Sequence, residues 1–279
     1  MAGQQQLPRS NAATHFIGHP ARKAHFVSEQ QPNNKWYTFF KQVAIGPFLK
    51  LYNRPTVTGM EHMPTHGGAV VVSNHLSVFD SFYLPLLCPR QITFLAKQEY
   101  FTGTGIVGTL QRWFFTSVGQ VPIDRTNSDA AVAAINTAIA QVEAGKLVGI
   151  YPEGTRSPDG RLYKGKTGAV RVALATGAPL VPVAMIGTRQ ANPQGSWILR
   201  PSKVRMVVGA PIDPVAFCAT HELAADPEDR ATARALTDEV MHRISEMSGQ
   251  PYVDVYAQQI KASLAAGEGY PEQYRPTQQ

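Results

Sequence analysis

The chain is poor in cysteine. Cys88 and Cys218 are the only two in 279 residues, too few for a disulfide framework and wrongly spaced for paired zinc ligands, which fits a reducing compartment. It also lacks any run of about 18 or more apolar residues, so no membrane-spanning helix is expected and any contact with a bilayer would be peripheral. The opening MAGQQQLPRSNAATHF has no apolar core of the kind a secretory signal carries. Acidic residues are scarce in the first sixty positions, where Glu29 stands alone against seven Lys and Arg (Arg9, Arg22, Lys23, Lys35, Lys41, Lys50, Arg54), while the remaining chain is balanced. The whole formal excess of +6 is therefore N-terminal. That asymmetry suits an anionic surface, lipid headgroups or nucleic acid, and it equally describes a solvated basic tail. There is no internal repeat. With 43% hydrophobic residues, the chain is long enough to bury the core of one large domain with decorations.

Residues 1–33 are polar and rich in Gln and Asn, the composition of a disordered tail. Residues 34–54 follow as a short amphipathic helical segment, with Trp36, Tyr37, Phe39, Phe40, Phe48 and Leu51 among flanking lysines. It is too short to span a bilayer. Two readings stay open: an element lying in the membrane interface, or a helix packed on the domain that follows. Gly46-Pro47 is expected to break or kink it, because proline removes a backbone donor and crowds the preceding turn. Near-continuous apolar or β-branched runs at 69–73, 92–96, 147–151, 180–186 and 204–209 read as buried strands. Between them lies a helix from Ser128 to Val142, closed by Gly145, and another at 168–176, closed by Gly177. Asp226-Pro227 is expected to cap a further helix carrying Leu236, Val240, Ile244 and Met247, and a shorter one carries Ile260 and Leu264. These last two are expected to cover the sheet. The tail from 266 to 279 is polar. Strands alternating with helices imply an α/β fold with a mostly parallel or mixed central sheet flanked by helices.

Three strand-to-turn transitions carry candidate chemistry. NHLSVFD, residues 74–80, follows the first strand. Positions five apart point away from each other on one helix, so His75 and Asp80 can meet only if His75 lies in the turn and Asp80 in the helix after it. A carboxylate would then hold one imidazole nitrogen and leave the other free to take a proton from a hydroxyl. A His-to-Asp spacing of five is a common coincidence among eight histidines, and alone it marks a structural histidine as readily as a base. VGIYPEGTRSPDG, residues 148–160, offers Gly154 for close backbone approach and Arg156 as a planar fork for phosphate, or simply a turn with a surface ion pair. VGQVPIDRT, residues 118–126, ends in Arg125, and Lys97 lies just beyond another strand.

In order, NHLSVFD, GQVPIDR, YPEGTRS and LVPVAMIG resemble the four sequence blocks of the glycerolipid acyltransferase family, typified by 1-acylglycerol-3-phosphate acyltransferase, over roughly residues 55–215. Two details depart from the usual blocks: Tyr151 stands where Phe is commoner, and Val-Pro-Ile replaces a Phe-Ile run. The resemblance implies an acyltransferase domain over 55–265 in which His75 and Asp80 are catalytic. It places Arg125 and the run Glu153, Gly154, Thr155 and Arg156 at the acyl acceptor and its phosphate, with Lys97 nearby. The reaction it implies moves a fatty acyl group from a thioester of coenzyme A or acyl carrier protein to a hydroxyl of lysophosphatidic acid, with no cofactor and no metal. Glycerol 3-phosphate, a glycolipid or another lysophospholipid are alternative acceptors, and a non-catalytic lipid-binding module is a remote one. An acyl-enzyme is not expected, since there is no G-x-S-x-G elbow and neither cysteine sits in an activated motif. The expected partners are the thioester donor, a lysophospholipid acceptor and an anionic membrane surface, not nucleic acid. The expected location is peripheral, on the cytoplasmic side of the cell membrane. An acyl chain also calls for an apolar groove, for which Leu110, Trp113, Phe114 and Phe115 are candidates at the mouth or in the core.

Overall fold

A computed structural model describes residues 34–123, 128–196 and 198–276. The tail at 1–33 and the side chains of Lys97 and Arg125 lie outside what it describes.

In chain order the elements are helix α1 (Lys35–Phe39), a π-helical turn (Phe40–Ala44), α2 (Ile45–Asn53), strand β1 (Thr56–Thr58), β2 (Ala69–Ser73), α3 (Asp80–Leu87), β3 (Ile92–Lys97), α4 (Glu99–Thr102), α5 (Gly105–Ser117) and β4 (Val121–Ile123). There follow α6 (Ser128–Glu143), β5 (Leu147–Ile150), β6 (Leu162–Tyr163), α7 (Gly168–Thr176), β7 (Leu180–Ile186), α8 (Thr188–Ala191), β8 (Arg205–Val208), α9 (Pro214–Thr220), α10 (Arg230–Ser248), β9 (Tyr252–Val253) and α11 (Ala257–Ala265).

Seven strands form one mixed sheet in the order β1-β8-β7-β2-β5-β3-β4, and only the β7–β8 pairing is antiparallel. The fold is thus α/β, as the alternation of strands and helices predicts. β2 is the central strand, in register with β5 through Val71↔Gly149 and with β7 through Val72↔Pro182. Its side chains alternate between the two faces, as a pleated strand requires. Val70 and Val72 join α6, α7 and α10 in one apolar core, whereas Ala69 and Val71 join α2 and α3 in the other. The continuous apolar run AVVVS therefore reflects burial on both faces. A small parallel pair, β6 with β9, lies apart from the main sheet.

Gly46-Pro47 does not break the N-terminal helix. The chain instead widens into the π-helical turn ahead of α2, which re-spaces the carbonyls that the proline ring would crowd. A Cβ on Gly46 would sit 1.7 Å from the Lys41 carbonyl oxygen, so the widened turn requires glycine there. The segment packs on the domain along one face and leaves the other face exposed. Tyr37 and Leu49 are buried on the domain, and the Tyr37 hydroxyl donates to the Pro85 carbonyl at 3.1 Å. Trp36, Phe39, Val43, Phe48 and Leu51 point outward and are exposed.

The cap of α10 also differs from expectation. Asp229, not Asp226, accepts from the Thr232 amide at 2.7 Å and starts the helix at Arg230. Asp226 accepts from the Glu228 amide at 2.8 Å in the preceding turn. Both aspartates suit an N-cap, and the packing of Ala233 and Leu236 onto the core selects the later start.

Candidate active site

Because β2, β5, β3 and β4 run parallel, their carboxyl ends share one edge of the sheet, the place where open α/β sheets bind ligands. His75 follows β2, Tyr151 to Arg156 follow β5, Lys97 ends β3, and Arg125 lies two residues past β4. The topology thus gathers the sequence blocks that are scattered along the chain.

Asp80 is the first residue of α3 and is fully buried. Its Oδ2 accepts from His75 Nδ1 at 2.9 Å and from the Leu76 and Ser77 amides at 2.7 Å each. The turn-plus-helix geometry is the one that the spacing of five demands. A carboxylate accepting at Nδ1 puts the proton of the neutral imidazole there and leaves Nε2 free to act as the base. The His75 ring lies flat on that of Tyr151, with centroids 4.0 Å apart, and Tyr151 in turn stacks on Phe94 at 5.5 Å. Stacking fixes the ring plane while Asp80 fixes rotation within it. The Tyr151 hydroxyl also meets Ser81 Oγ at 3.1 Å, so the tyrosine in place of the commoner phenylalanine adds a tether beside His75. Upstream, the buried Asn74 amide accepts from the Met185 amide at 2.7 Å and donates to the Met185 carbonyl at 2.9 Å, pinning the end of β2 to β7.

Glu153 holds the two loops together. One carboxyl oxygen accepts from the His75 amide at 3.0 Å and the other from the Tyr163 amide at 3.1 Å. Burial pushes this carboxyl up to about 8, against the pull of those two amides. The Ser157 amide donates to the His75 carbonyl at 2.8 Å, closing the turn over the histidine. Gly154 has φ +71, a left-handed conformation that glycine adopts without strain, and the Lys166 side chain fills the space beside it. Glu153 is thus a scaffold and not a group facing the ligand, whereas Arg156 lines the open cavity.

That cavity has a volume of about 1050 Å³. Its lining combines apolar side chains, among them Phe82, Leu86, Phe94, Phe114 and Phe115, with His75, Arg156, Lys166 and Arg171. Among the described residues, no carboxylate comes within 4.0 Å of Arg156, Lys166 or Arg171, and Arg171 Nε is buried without a hydrogen-bond partner. Phe114 and Phe115 belong to the cavity as expected. Leu110 and Trp113 do not line it and are exposed on the outer side of α5, where Trp113 meets Trp36 with ring centroids 5.2 Å apart.

Three cations near the site escaped the sequence reading. Arg171 was visible as the single charge in the otherwise apolar GAVRVALAT helix. Lys166 sits in the stretch after the EGTR run, where nothing local marks it. Lys261, on a helix expected only to cover the sheet, donates to Thr155 Oγ1 at 2.8 Å from 106 residues away.

A parallel-edged α/β sheet with a buried-aspartate histidine beside a long apolar cavity defines the class, and the comparisons agree with it. Residues 54–186 match the family described as Acyltransferase. It is 34% identical over 200 residues to a chloroplastic 1-acyl-sn-glycerol-3-phosphate acyltransferase of Arabidopsis thaliana, covering 69% of this chain and 52% of that protein. It is 29% identical to a 1-acyl-sn-glycerol-3-phosphate acyltransferase of Bacillus subtilis, covering 72% of this chain and 89% of that protein. The crystal structure of the 1-acyl-sn-glycerophosphate acyltransferase PlsC from Thermotoga maritima superimposes with a TM-score of 0.58 at 28% identity, covering 76% of this chain and 78% of that one. The chain spans about half the length of the plant relatives it matches.

Proposed function

We propose that this chain transfers a fatty acyl group from an acyl thioester to the free hydroxyl of 1-acylglycerol-3-phosphate, forming phosphatidate. The single observation that carries this reading is one cavity lined together by His75, by a large apolar surface and by cations without a carboxylate partner among the described residues. His75 takes the proton of the acceptor hydroxyl as its oxygen attacks the thioester carbonyl. The C–S bond breaks and the thiol leaves, taking up that proton. Asp80 stabilises the imidazolium formed in between. Arg156 holds the acceptor phosphate, to which the family resemblance also assigns Lys97 and Arg125, so that the hydroxyl meets His75, and positioning supplies much of the rate. The reaction draws on no metal or cofactor. Glycerol 3-phosphate and other lysophospholipids are the alternative acceptors.

The enzyme works at the surface of an anionic membrane, on the cytoplasmic side of the cell membrane, bound peripherally. No helix among the described residues is long and apolar enough to cross a bilayer. Instead Trp36, Phe39, Val43, Phe48 and Leu51 on α1 to α2, with Ile106, Val107, Leu110 and Trp113 on α5, form an exposed apolar face. Lys35 and Lys50 belong to the same N-terminal segment and are exposed, and apolar burial and charge attraction add at such an interface.

The test is a panel of acceptors, comprising 1-acylglycerol-3-phosphate, glycerol 3-phosphate, lysophosphatidylcholine and monoacylglycerol, each offered with acyl-coenzyme A and acyl carrier protein thioesters. Mass spectrometry of the products is expected to show phosphatidate from the first acceptor at the highest kcat/KM. A larger kcat/KM for another acceptor would reassign the substrate.

A further inference from the structure

Helix α11 does more than cover the sheet. Ala257 and Ile260 on its inner face pack with Tyr163 and Val253 of the small β6–β9 pair, which fixes the helix against the loop that follows β5. From that anchored position, Lys261 reaches the EGTR run and Gln258, one turn before it, reaches Lys166. Gln258 Oε1 accepts from Lys166 Nζ at 3.3 Å, and Lys261 Nζ donates to Thr155 Oγ1 at 2.8 Å. Both residues lie well beyond the 54–186 family match.

The charges there are arranged for an anion. Burial lowers the Lys261 amine, and the neighbouring Arg156 guanidinium lowers it further. Two cations held together out of water cost free energy unless an anion joins them. Among the described residues, no carboxylate comes within 4.0 Å of either. Glu153, the nearby acid, has both oxygens committed to backbone amides. The hydrogen bond to Thr155 also has a direction. Lys261 can only donate, so Thr155 Oγ1 accepts and its own proton is free to point onward.

We propose that Lys261 is a positioning residue for the acceptor's phosphomonoester, holding Thr155 as a hydrogen-bond donor and adding its charge to that of Arg156. The phosphate site is then built from two segments 106 residues apart and is incomplete without α11. This rests on the reading of the cavity as the acceptor site.

The experiment compares wild-type, Lys261→Ala and Lys261→Arg proteins, with folding checked by thermal melts. Lys261→Ala is expected to raise KM for 1-oleoylglycerol 3-phosphate about tenfold with a smaller change in kcat, and to lower its discrimination against 1-oleoylglycerol by about the same factor. Lys261→Arg recovers most of both. Thr155→Val, which removes the hydroxyl at constant shape, reproduces the effect of Lys261→Ala and serves should that variant not fold. Equal losses on the two acceptors would overturn the proposal. So would a rise confined to KM for acyl-coenzyme A, which would assign the lysine to the donor's phosphates. A second arm needs no turnover: inorganic phosphate and glycerol 3-phosphate are expected to raise the Tm of wild type and to raise that of Lys261→Ala less. Equal or absent stabilisation overturns the proposal. If the anions discriminate between the two proteins but wild type acylates no acceptor, the functional reading fails and the anion site stands.

Discussion

Around His75 almost every polar atom is engaged: Asp80 Oδ2 accepts from three donors, both Glu153 oxygens hold backbone amides, and Asn74 is tied to β7 on both sides of its amide. On the outer surface, away from the cavity, the rule is reversed. There α1, α2 and α5 leave large apolar side chains in the open, with Ile106 89% and Leu51 80% exposed. A buried network with almost all of its polar atoms bonded holds one geometry, which a proton transfer needs, and Asp80 Oδ1 is its buried exception. The apolar face is uncovered among the described residues, and a bilayer is the cover proposed for it. The difference teaches that the bonded wall of the cavity and the exposed apolar face are separate parts of the molecule, so substitutions can separate what each does.

The largest effect falls on the bonded wall. His75→Ala is expected to lower kcat by at least about 10³-fold in a protein that still binds vesicles, since both the base and its positioning are lost. Asp80→Asn should cost about 10²-fold, because the neutral amide no longer stabilises the imidazolium formed when His75 takes the proton. Turnover assays beside vesicle co-sedimentation read both losses, and a parallel fall in vesicle binding would dissolve the contrast between the two parts. Arg156→Ala should reduce kcat/KM for a phosphorylated acceptor about tenfold more than for its dephosphorylated counterpart. Equal penalties would make Arg156 structural.

On the exposed apolar face, replacing Ile106, Val107 and Leu110 together by serine should weaken binding to anionic vesicles by about tenfold or more, given about 1.5–3 kcal/mol per fully buried side chain. Transfer to a short-chain soluble acceptor should persist. Deleting residues 34–52 is the poorer test, because Tyr37 and Leu49 would leave the core with them.

The smallest effect is on stability. The Glu153 carboxyl is raised from its ordinary 4.5 to about 8 in the fold. Its contribution is therefore complete below about pH 4.5 and fades as pH rises through about 8. Glu153→Gln replaces one acceptor oxygen with a donor facing a backbone amide, at a cost of about 1–3 kcal/mol. Thermal melts should show a lower Tm together with a flatter pH dependence between pH 5 and 8. An unchanged slope would assign the pH dependence to another group.

The part of this design legible in the sequence is the part written locally. A spacing of five between His75 and Asp80 specifies a turn-then-helix geometry, and AVVVS specifies a strand buried on both faces. Gly154 and Gly177 mark left-handed positions that few other residues occupy. What the sequence hid depends on distant pairings. Lys261 gains meaning only through the β6–β9 pair that carries α11 to Thr155. Asp226 and Asp229 are equally good caps until the packing of α10 chooses between them. The π-helical turn arises from Gly46 and Lys41 meeting around Pro47, a contact that the Gly-Pro pair alone reads as a break.

The central claim, direct transfer with His75 as the base, is tested most directly by rapid mixing followed by intact-protein mass spectrometry. With acyl-coenzyme A alone, the mass of the wild-type protein should stay unchanged. With 1-oleoylglycerol 3-phosphate added, phosphatidate should accumulate without any acylated protein, and a folded His75→Ala protein should form none. An acyl-protein adduct appearing in a burst, or near-normal phosphatidate formation by His75→Ala, would contradict the account.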